Sequence, residues 1–115
     1  MSPEPRCGQI WLVALGAARK GEIGKTRPVV VVSVDQVRSG SKFDLISVVP
    51  LSASRPARLL RPRIPATDGL EEDSIAMCDA VQSISQTRFL EHLAMLPDHL
   101  MAEIRSARAT IEGWL

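Results

Sequence analysis

A basic residue, Arg27, stands where the chain enters its most hydrophobic stretch. It belongs to the segment Gly24 to Pro28, which leads directly into four consecutive valines, Val29 to Val32. A β-branched run of this density is typical of a strand buried on both faces. Such a strand would hold the guanidinium still, and the planar guanidinium matches the oxygens of a phosphate group. The alternative is a solvated charge at the rim of a sheet, because arginine usually stays exposed.

Two hydroxyl side chains, Ser52 and Ser54, follow another apolar stretch, Val49 to Leu51. Taken alone, this is a transition from strand to loop, where serine and proline are common turn residues. The neighbouring residues do not form the Gly-x-Ser-x-Gly pattern of a serine hydrolase. Both histidines, His92 and His99, fall in a stretch whose pattern predicts helix, so the predicted strands supply no histidine to activate a serine. A Ser-His-Asp hydrolase is therefore poorly supported.

The acidic residue Asp79 interrupts an otherwise apolar segment that runs from Asp73 to Ile84. Strand alternation would place it on one face with its apolar neighbours at every second position and with Ser83. A carboxylate on such a face needs a charged or hydrogen-bonding partner. A structural salt bridge and a functional role are both open.

Four arginines lie close together in the chain and form a local basic stripe, Arg55, Arg58, Arg61 and Arg63. Where strand periodicity holds, Arg61 and Arg63 share a face. The stripe could meet phosphates or an acidic partner segment. A solvated edge strand that is protected by its charges is the alternative.

Composition limits the classes of protein that are compatible with the chain. The formal net charge of the 115 residues is only +1, so overall basicity does not indicate nucleic-acid binding. We expect a single domain, residues 1–115, because the length suits one compact core. Cys7 and Cys78 show no metal-ligand spacing, which predicts no metal site and a reduced, cytoplasmic protein. No signal peptide and no apolar run long enough to span a membrane is evident.

The hydrophobic pattern predicts a mainly β fold with a C-terminal helix. Predicted strands cover five segments, Gln9 to Leu15, Pro28 to Val34, Phe43 to Leu51, Leu59 to Ile64 and Ser74 to Ser83. A short helix is predicted from Gln86 to Leu93. A longer helix should open at Leu96-Pro97-Asp98 and end near Gly113, a suitable residue for a C-cap. Several short strands with Gly, Pro and Ser between them favour a small barrel or half-open sheet.

In their order along the chain, these motifs resemble the MazF/PemK toxin family. Arg6 to Trp11 is similar to the family's opening R-G-x-I-W strand, and Gly24 to Val31 to its G-K-x-R-P-V-V-V core. Val49 to Ser52 resembles its x-P-L-T strand end. Asp73 to Asp79 resembles its D-S-V-x-x-C-D/E strand, and Ile84 to Arg88 its following I-x-x-x-R. Four motifs in order with compatible spacing make a strong match over nearly the whole chain.

The resemblance implies a fold, an activity and partners. The fold would be an SH3-like, partly open small barrel of the CcdB/PemK type. The protein would be a homodimeric toxin that cuts single-stranded RNA at short motifs with no metal or cofactor. A cognate MazE-like antitoxin would neutralise it by laying an acidic tail across the RNA groove.

The resemblance also implies roles for individual residues. Arg27 and Ser52 match the catalytic arginine and hydroxyl positions, the latter usually threonine. Residues at the RNA-binding positions are Glu22, Lys25, Thr26, Ser54, Asp79 and Gln82. Ser54 is the nearest substitute for Ser52. Ala80 stands where some relatives carry an amide, so the cleavage motif is expected to differ from theirs.

Two other functions fit the same fold. The CcdB family binds gyrase without cutting RNA, and the terminal Gly113-Trp114-Leu115 superficially resembles its aromatic tail. The Lys-Thr-Arg-Pro stretch at residues 25–28 favours the nuclease instead. A non-catalytic SH3-like interaction module is the second alternative, because a fold does not determine a function.

Overall fold

The computed structural model describes residues 4–16, 25–37, 39–41 and 43–114. Within these residues, strands precede one C-terminal helix. The strands are β1 (Gln9–Ala14), β2 (Thr26–Val31), β3 (Leu45–Ser52), β4 (Arg63–Ile64), β5 (Ser74–Ala76), β6 (Gln82–Ser85) and β7 (Phe89–Met95). The helix is α1 (Asp98–Ile111), and short 3-10 turns cover Asp35–Val37, Cys78–Ala80 and Gln86–Arg88.

The strands form one antiparallel, curled sheet with the order β4-β5-β3-β2-β1-β7. The long strand β3 also pairs with β6, through its first residues, whereas its last two residues pair with β5. The helix α1 packs on one face of the sheet. This architecture confirms the prediction of a mainly β, half-open barrel with a C-terminal helix.

Apolar side chains cover both faces of the sheet and form two core clusters. The helix-side cluster contains Val30 together with Ile10, Leu51 and Ile104 of α1. The second cluster lies on the other face and contains Val29 and Val31 of the same valine run. All three valines are completely buried, which confirms that β2 is a strand buried on both faces.

The predicted fifth strand, Ser74 to Ser83, is wrong as a single element. It is two strands, β5 and β6, separated by the 3-10 turn Cys78–Ala80. The registers of β5 and β6 on β3 leave two residues, Val49 and Pro50, opposite the five residues 77–81, so the chain must bulge out of the ladder there. The predicted alternation that put Asp79 in line with Met77 and Val81 is broken at this turn.

The predicted helix from Gln86 to Leu93 is also wrong. After a 3-10 turn, this segment is β7, which pairs with the free edge of β1. Apolar residues at spacings of three and four, such as Phe89 and Leu93, imitate a helix, but an uncovered β1 edge would leave backbone groups without partners. One consequence is that His92 lies in a strand, against the expectation that no histidine would.

Two smaller predictions have different outcomes. The predicted strand Leu59 to Ile64 shrinks to β4, because Leu60 has a left-handed backbone (φ 67°) that cannot continue a strand. The C-terminal helix is confirmed, and so is its end at Gly113, which has φ 79°. Trp114 N donates to Ala109 O at 2.7 Å and Gly113 N to Thr110 O at 3.2 Å, a Schellman cap. Among the described residues, no helix has the length and apolarity needed to cross a membrane.

Candidate functional site

Arg27 and Ser52 occupy equivalent positions on two neighbouring strands. The ladder between β2 and β3 pairs Val29 with Pro50, and extending this register by two residues sets Arg27 opposite Ser52. Cross-strand neighbours have Cβ atoms about 5 Å apart. By strand alternation, both residues belong to the face that carries the second core cluster. The fold therefore brings the two predicted catalytic positions together at the end of a rigid part of the sheet.

The hydroxyl of Ser52 is buried, with 2% of the residue exposed. Its Oγ accepts hydrogen bonds from the backbone N–H groups of Arg55, at 3.1 Å, and Ser54, at 3.4 Å. These bonds fix the turn that follows β3, and they leave the hydroxyl proton available for donation. Ser54, two residues later, is exposed.

A cavity of about 770 Å³, here called the Arg27 cavity, opens beside β2. Its polar lining residues come from β2, β5, β7 and two loops: Thr26, Arg27, Ser54, Glu71, Glu72, Ser74, Glu91 and His92. The His92 ring also lies against Trp11, with 5.4 Å between ring centroids. The sequence does not reveal Glu91 and His92 as site residues, because its local pattern there predicts a helix. The signal that could have found them is the need of β1 for a second partner strand.

A smaller cavity of about 330 Å³, here called the Ser52 cavity, adjoins the first, since Ala53 and Ser74 line both. Ser52 lines it together with Arg55, Arg63 and Asp73. Two members of the predicted basic stripe therefore stand beside the predicted catalytic hydroxyl.

Asp79 lies away from these cavities and is bound to a third arginine. Arg61 Nη2 donates to Asp79 Oδ2 at 2.8 Å and Arg61 Nε to Oδ1 at 3.2 Å, so the pair is bidentate. The Arg61 hydrogen bonds lower the pKa of the Asp79 carboxyl below its ordinary value, and they raise the pKa of Arg61. The salt-bridge alternative for Asp79 is thus realised, although half of its side chain still faces solvent.

Of the other predicted RNA-binding residues, Gln82 and Lys25 lie in different parts of the structure. Gln82 lines a separate groove between the sheet and α1, beside Arg108 and Trp114. Lys25 is exposed; its N–H donates to Gly16 O at 2.6 Å, while its carbonyl accepts from Leu15 N at 2.8 Å. These two backbone hydrogen bonds fix the position at which β2 begins. Glu22 lies outside the described residues.

The titratable side chains in the described part of the chain do not form a metal site. Within the described residues, no group of three or more His, Cys, Asp or Glu side chains could hold a metal ion. Cys78 is buried, and burial raises the pKa of its thiol to about 11, whereas Cys7 is half-buried. A buried thiol of this kind is unreactive.

The chain is similar in sequence to one protein family and to curated proteins of two bacteria. Residues 6–111 match the family described as PemK-like, MazF-like toxin of type II toxin-antitoxin system. An endoribonuclease MazF9 of Mycobacterium tuberculosis is 30% identical over 109 residues, which cover 89% of this chain and 91% of that protein. An endoribonuclease MazF of Staphylococcus saprophyticus is 27% identical over 109 residues, or 89% and 86% of the two chains.

Solved structures agree with the fold. The crystal structure of MazF from Deinococcus radiodurans superposes with a TM-score of 0.81 at 22% identity, covering 95% of this chain and 96% of that one. A mycobacterial endoribonuclease in complex with its cognate antitoxin superposes with a TM-score of 0.78 at 19% identity, covering 97% and 98%. Since the family match spans nearly the whole chain and the fold agrees, this protein belongs to the PemK-like, MazF-like toxins of type II toxin-antitoxin systems.

Proposed function

We propose that this chain is an endoribonuclease toxin that cuts single-stranded RNA at short sequence motifs without a metal ion. The observation that carries the proposal is the cross-strand position of Arg27 and Ser52 in a member of a family whose curated relatives are named endoribonucleases. We further infer that it acts in the cytoplasm as a homodimer and that a cognate MazE-like antitoxin neutralises it. A structural relative solved with its cognate antitoxin supports the inferred antitoxin partner.

The proposed reaction uses the nucleophile that RNA itself carries. The 2′-oxygen forms a bond to the adjacent phosphorus and the bond to the 5′-oxygen breaks, which gives a 2′,3′-cyclic phosphate and a 5′-hydroxyl. The proton lost by the 2′-hydroxyl is balanced by the one that the 5′-oxygen gains. In between, negative charge accumulates on the non-bridging oxygens. The enzyme therefore has to align the strand, neutralise that charge and move protons.

Arg27 suits the second task, because a guanidinium donates two parallel hydrogen bonds to phosphate oxygens. Ser52 accepts two backbone hydrogen bonds and can donate its own proton to a non-bridging oxygen. An arginine is a poor general base at neutral pH. His92, in the Arg27 cavity, is of the side-chain type that exchanges protons most readily in that range.

RNA contacts are proposed for six residues in two groups. Thr26 and Ser54 line the Arg27 cavity, and Lys25 lies next to Thr26 in the chain. Asp79 and Gln82 line neither cavity and would meet bases at a distance from the cut, while Glu22, which precedes β2 in the sequence, would contact the strand as well. The last three assignments rest on the family resemblance.

The test is incubation of the purified wild-type chain and Arg27→Ala with end-labelled single-stranded RNA in excess EDTA. We expect wild type to cut at defined motifs and leave 2′,3′-cyclic phosphate ends, and an RNA with a 2′-deoxy sugar at the cut site to resist. Arg27→Ala should lose at least 10²-fold in kcat/KM, roughly the worth of one charge-stabilising donor. Arg27→Lys should also be impaired, because a point charge lacks the planar fork.

The same assay decides which hydroxyl assists. Ser52→Thr, which restores the usual family residue, should stay active, whereas Ser52→Ala should lose about 10²–10³ in kcat. Ser54→Ala should cleave at nearly the wild-type rate, and thermal melts separate lost chemistry from a loosened turn. Undiminished cleavage by Arg27→Ala would refute the proposed site. Absence of cleavage by folded wild type would instead favour a gyrase-binding toxin or a non-catalytic module.

A further inference from the structure

The four arginines of the basic stripe do not share one environment. Arg61 is tied to Asp79, and only 10% of its side chain is exposed, so it is a structural residue. Arg58 is exposed and does not line the Ser52 cavity. Arg55 and Arg63 do line this cavity, beside Ser52. The fold thus separates two arginines from the stripe and sets them at the candidate site.

Sheet register defines where Arg63 stands relative to Ser52. Ser52 of β3 pairs with Ile75 of β5, and Ile75 in turn pairs with Arg63 of β4. On the other edge of β3, the register sets Arg27 opposite Ser52. Neighbouring strands lie about 4.8 Å apart, so Arg27 and Arg63 flank Ser52 at about one and two strand spacings. The buried hydroxyl therefore lies in a row between two cationic side chains.

The charges in the Ser52 cavity favour an anion. Within the described ranges, neither Arg55 nor Arg63 forms an ion pair with a carboxylate. Asp73 also lines the cavity, but its Oδ1 accepts a hydrogen bond from Ala66 N at 2.7 Å, which commits it to the loop. Arg55 is fixed at its backbone, since its N–H donates to Ser52 Oγ. Two arginines thus line the cavity, together with one carboxylate that is already hydrogen-bonded.

We propose that Arg55 and Arg63 form a phosphate subsite of the Ser52 cavity, which binds the backbone phosphate next to the one held at Arg27 and Ser52. The inference rests on the proposed RNA cleavage and specifies how the strand is held during it. Two guanidinium groups can bind phosphate oxygens in bidentate fashion without reading a base. A net charge of +1 offers little general attraction to RNA, so affinity must come from such local clusters.

The experiment measures binding apart from cleavage. Fluorescein-labelled 2′-O-methyl RNA of mixed sequence cannot be cut, because its 2′-oxygen is blocked, and its Kd is measured by anisotropy between 50 and 200 mM NaCl. The variants are Arg55→Gln, Arg63→Gln and the double variant, with the exposed Arg58→Gln as the matched control. Thermal melts establish that each variant is folded, and Arg63→Lys retains the charge if Arg63→Gln is unstable.

We expect Arg55→Gln and Arg63→Gln each to weaken binding and to reduce the slope of log Kd against log salt by about 0.7, and the double variant by about 1.4. Arg58→Gln should match wild type, and Arg63→Lys should keep the wild-type slope. With cleavable RNA, KM should rise while kcat at saturation stays unchanged. The binding results would hold even if wild type cut no RNA, so the subsite and the nuclease proposal can fail separately.

Three outcomes would overturn the subsite. The first is a salt slope that is the same in wild type and in the double variant. The second is an equal loss in Arg58→Gln and Arg63→Gln, which would mean that the whole stripe acts as diffuse charge. The third is unchanged RNA binding together with lost binding of a synthetic poly-glutamate peptide, which would assign these arginines to an acidic protein partner.

Discussion

The ion pair with Asp79 gives Arg61, a member of the basic stripe, a structural role. Arg61 is largely buried, so its charge needs a partner, and Asp79 supplies both oxygens. The pair connects the segment before β4 to the 3-10 turn Cys78–Ala80. Arg108 of α1 reinforces the same turn by donating to Cys78 O at 2.7 Å. The turn is thus held from two sides.

The depressed pKa of Asp79 predicts how pH acts on this pair. A carboxyl whose folded pKa is lowered stabilises the fold above its unfolded pKa of about 3.9, and this contribution is lost as pH falls through the folded pKa. Asp79→Asn should therefore lower Tm at pH 7, and the difference from wild type should shrink below about pH 4. Because Asp79 is half-exposed, we expect Asp79→Asn to lower the free energy of unfolding at pH 7 by less than about 1 kcal/mol.

Thermal melts followed by circular dichroism at pH 7, 5 and 3 measure this difference. Asp68→Asn is the matched control, since Asp68 is exposed and forms no ion pair within the described ranges. It should melt like wild type throughout. A difference for Asp79→Asn that stays constant from pH 7 to pH 3 would contradict the assignment.

At the scale of elements, the loop before β5 touches β7 at a point where only glycine fits. Gly69 has φ 92°, and a Cβ placed on it would lie 1.8 Å from Leu93 O of β7. Both residues line the Arg27 cavity. This close approach sets the distance between the loop that carries Glu71 and Glu72 and the strand that carries His92.

Gly69→Ala should consequently destabilise the protein and alter the cavity. Gly40→Ala is the matched control, because Gly40 has a similar φ of 93° but its added Cβ would meet nothing within 4 Å. The control should lower the free energy of unfolding only by the backbone strain, about 1–2 kcal/mol. Gly69→Ala should lower the free energy of unfolding, measured in urea, clearly more than the control does, since the backbone must move. It should also lower kcat/KM. If both variants lost the same free energy of unfolding, the backbone at Leu93 would have to move away from the added Cβ without cost.

The elements that carry Arg27 and Ser52 are among those that the sequence predicts correctly. A valine run and a Pro-containing strand end are local signals, so β2 and β3 begin and end within three residues of their predicted limits. The strand β7 depends on a non-local cause, the need of β1 for a partner, which no local pattern contains. The bulge at residues 77–81 arises from two competing registers on β3. Hence Arg27 and Ser52 were predicted, whereas Glu91 and His92 were not.

At the scale of the whole molecule, the helix α1 and the side chains of Arg27 and Ser52 belong to opposite faces of the sheet. The helix α1 contributes Leu100, Met101 and Ile104 to one cluster, while Arg27 and Ser52 share the opposite face with Val29 and its neighbours. Strand β2 contributes to both, with Val30 towards the helix. The helix therefore packs on the face of the sheet opposite to Arg27 and Ser52.

This separation predicts a variant that loses stability and keeps its chemistry. Ile104 is completely buried, so Ile104→Ala should cost about 2–5 kcal/mol and lower Tm on the order of 10 °C. Well below that Tm, kcat should match wild type, because the strand ends at Arg27 and Ser52 are unchanged. Glu103→Ala, exposed on the same helix, should alter neither quantity. If Ile104→Ala lost kcat at a temperature where it is fully folded, the helix would have to be coupled to the site through β2.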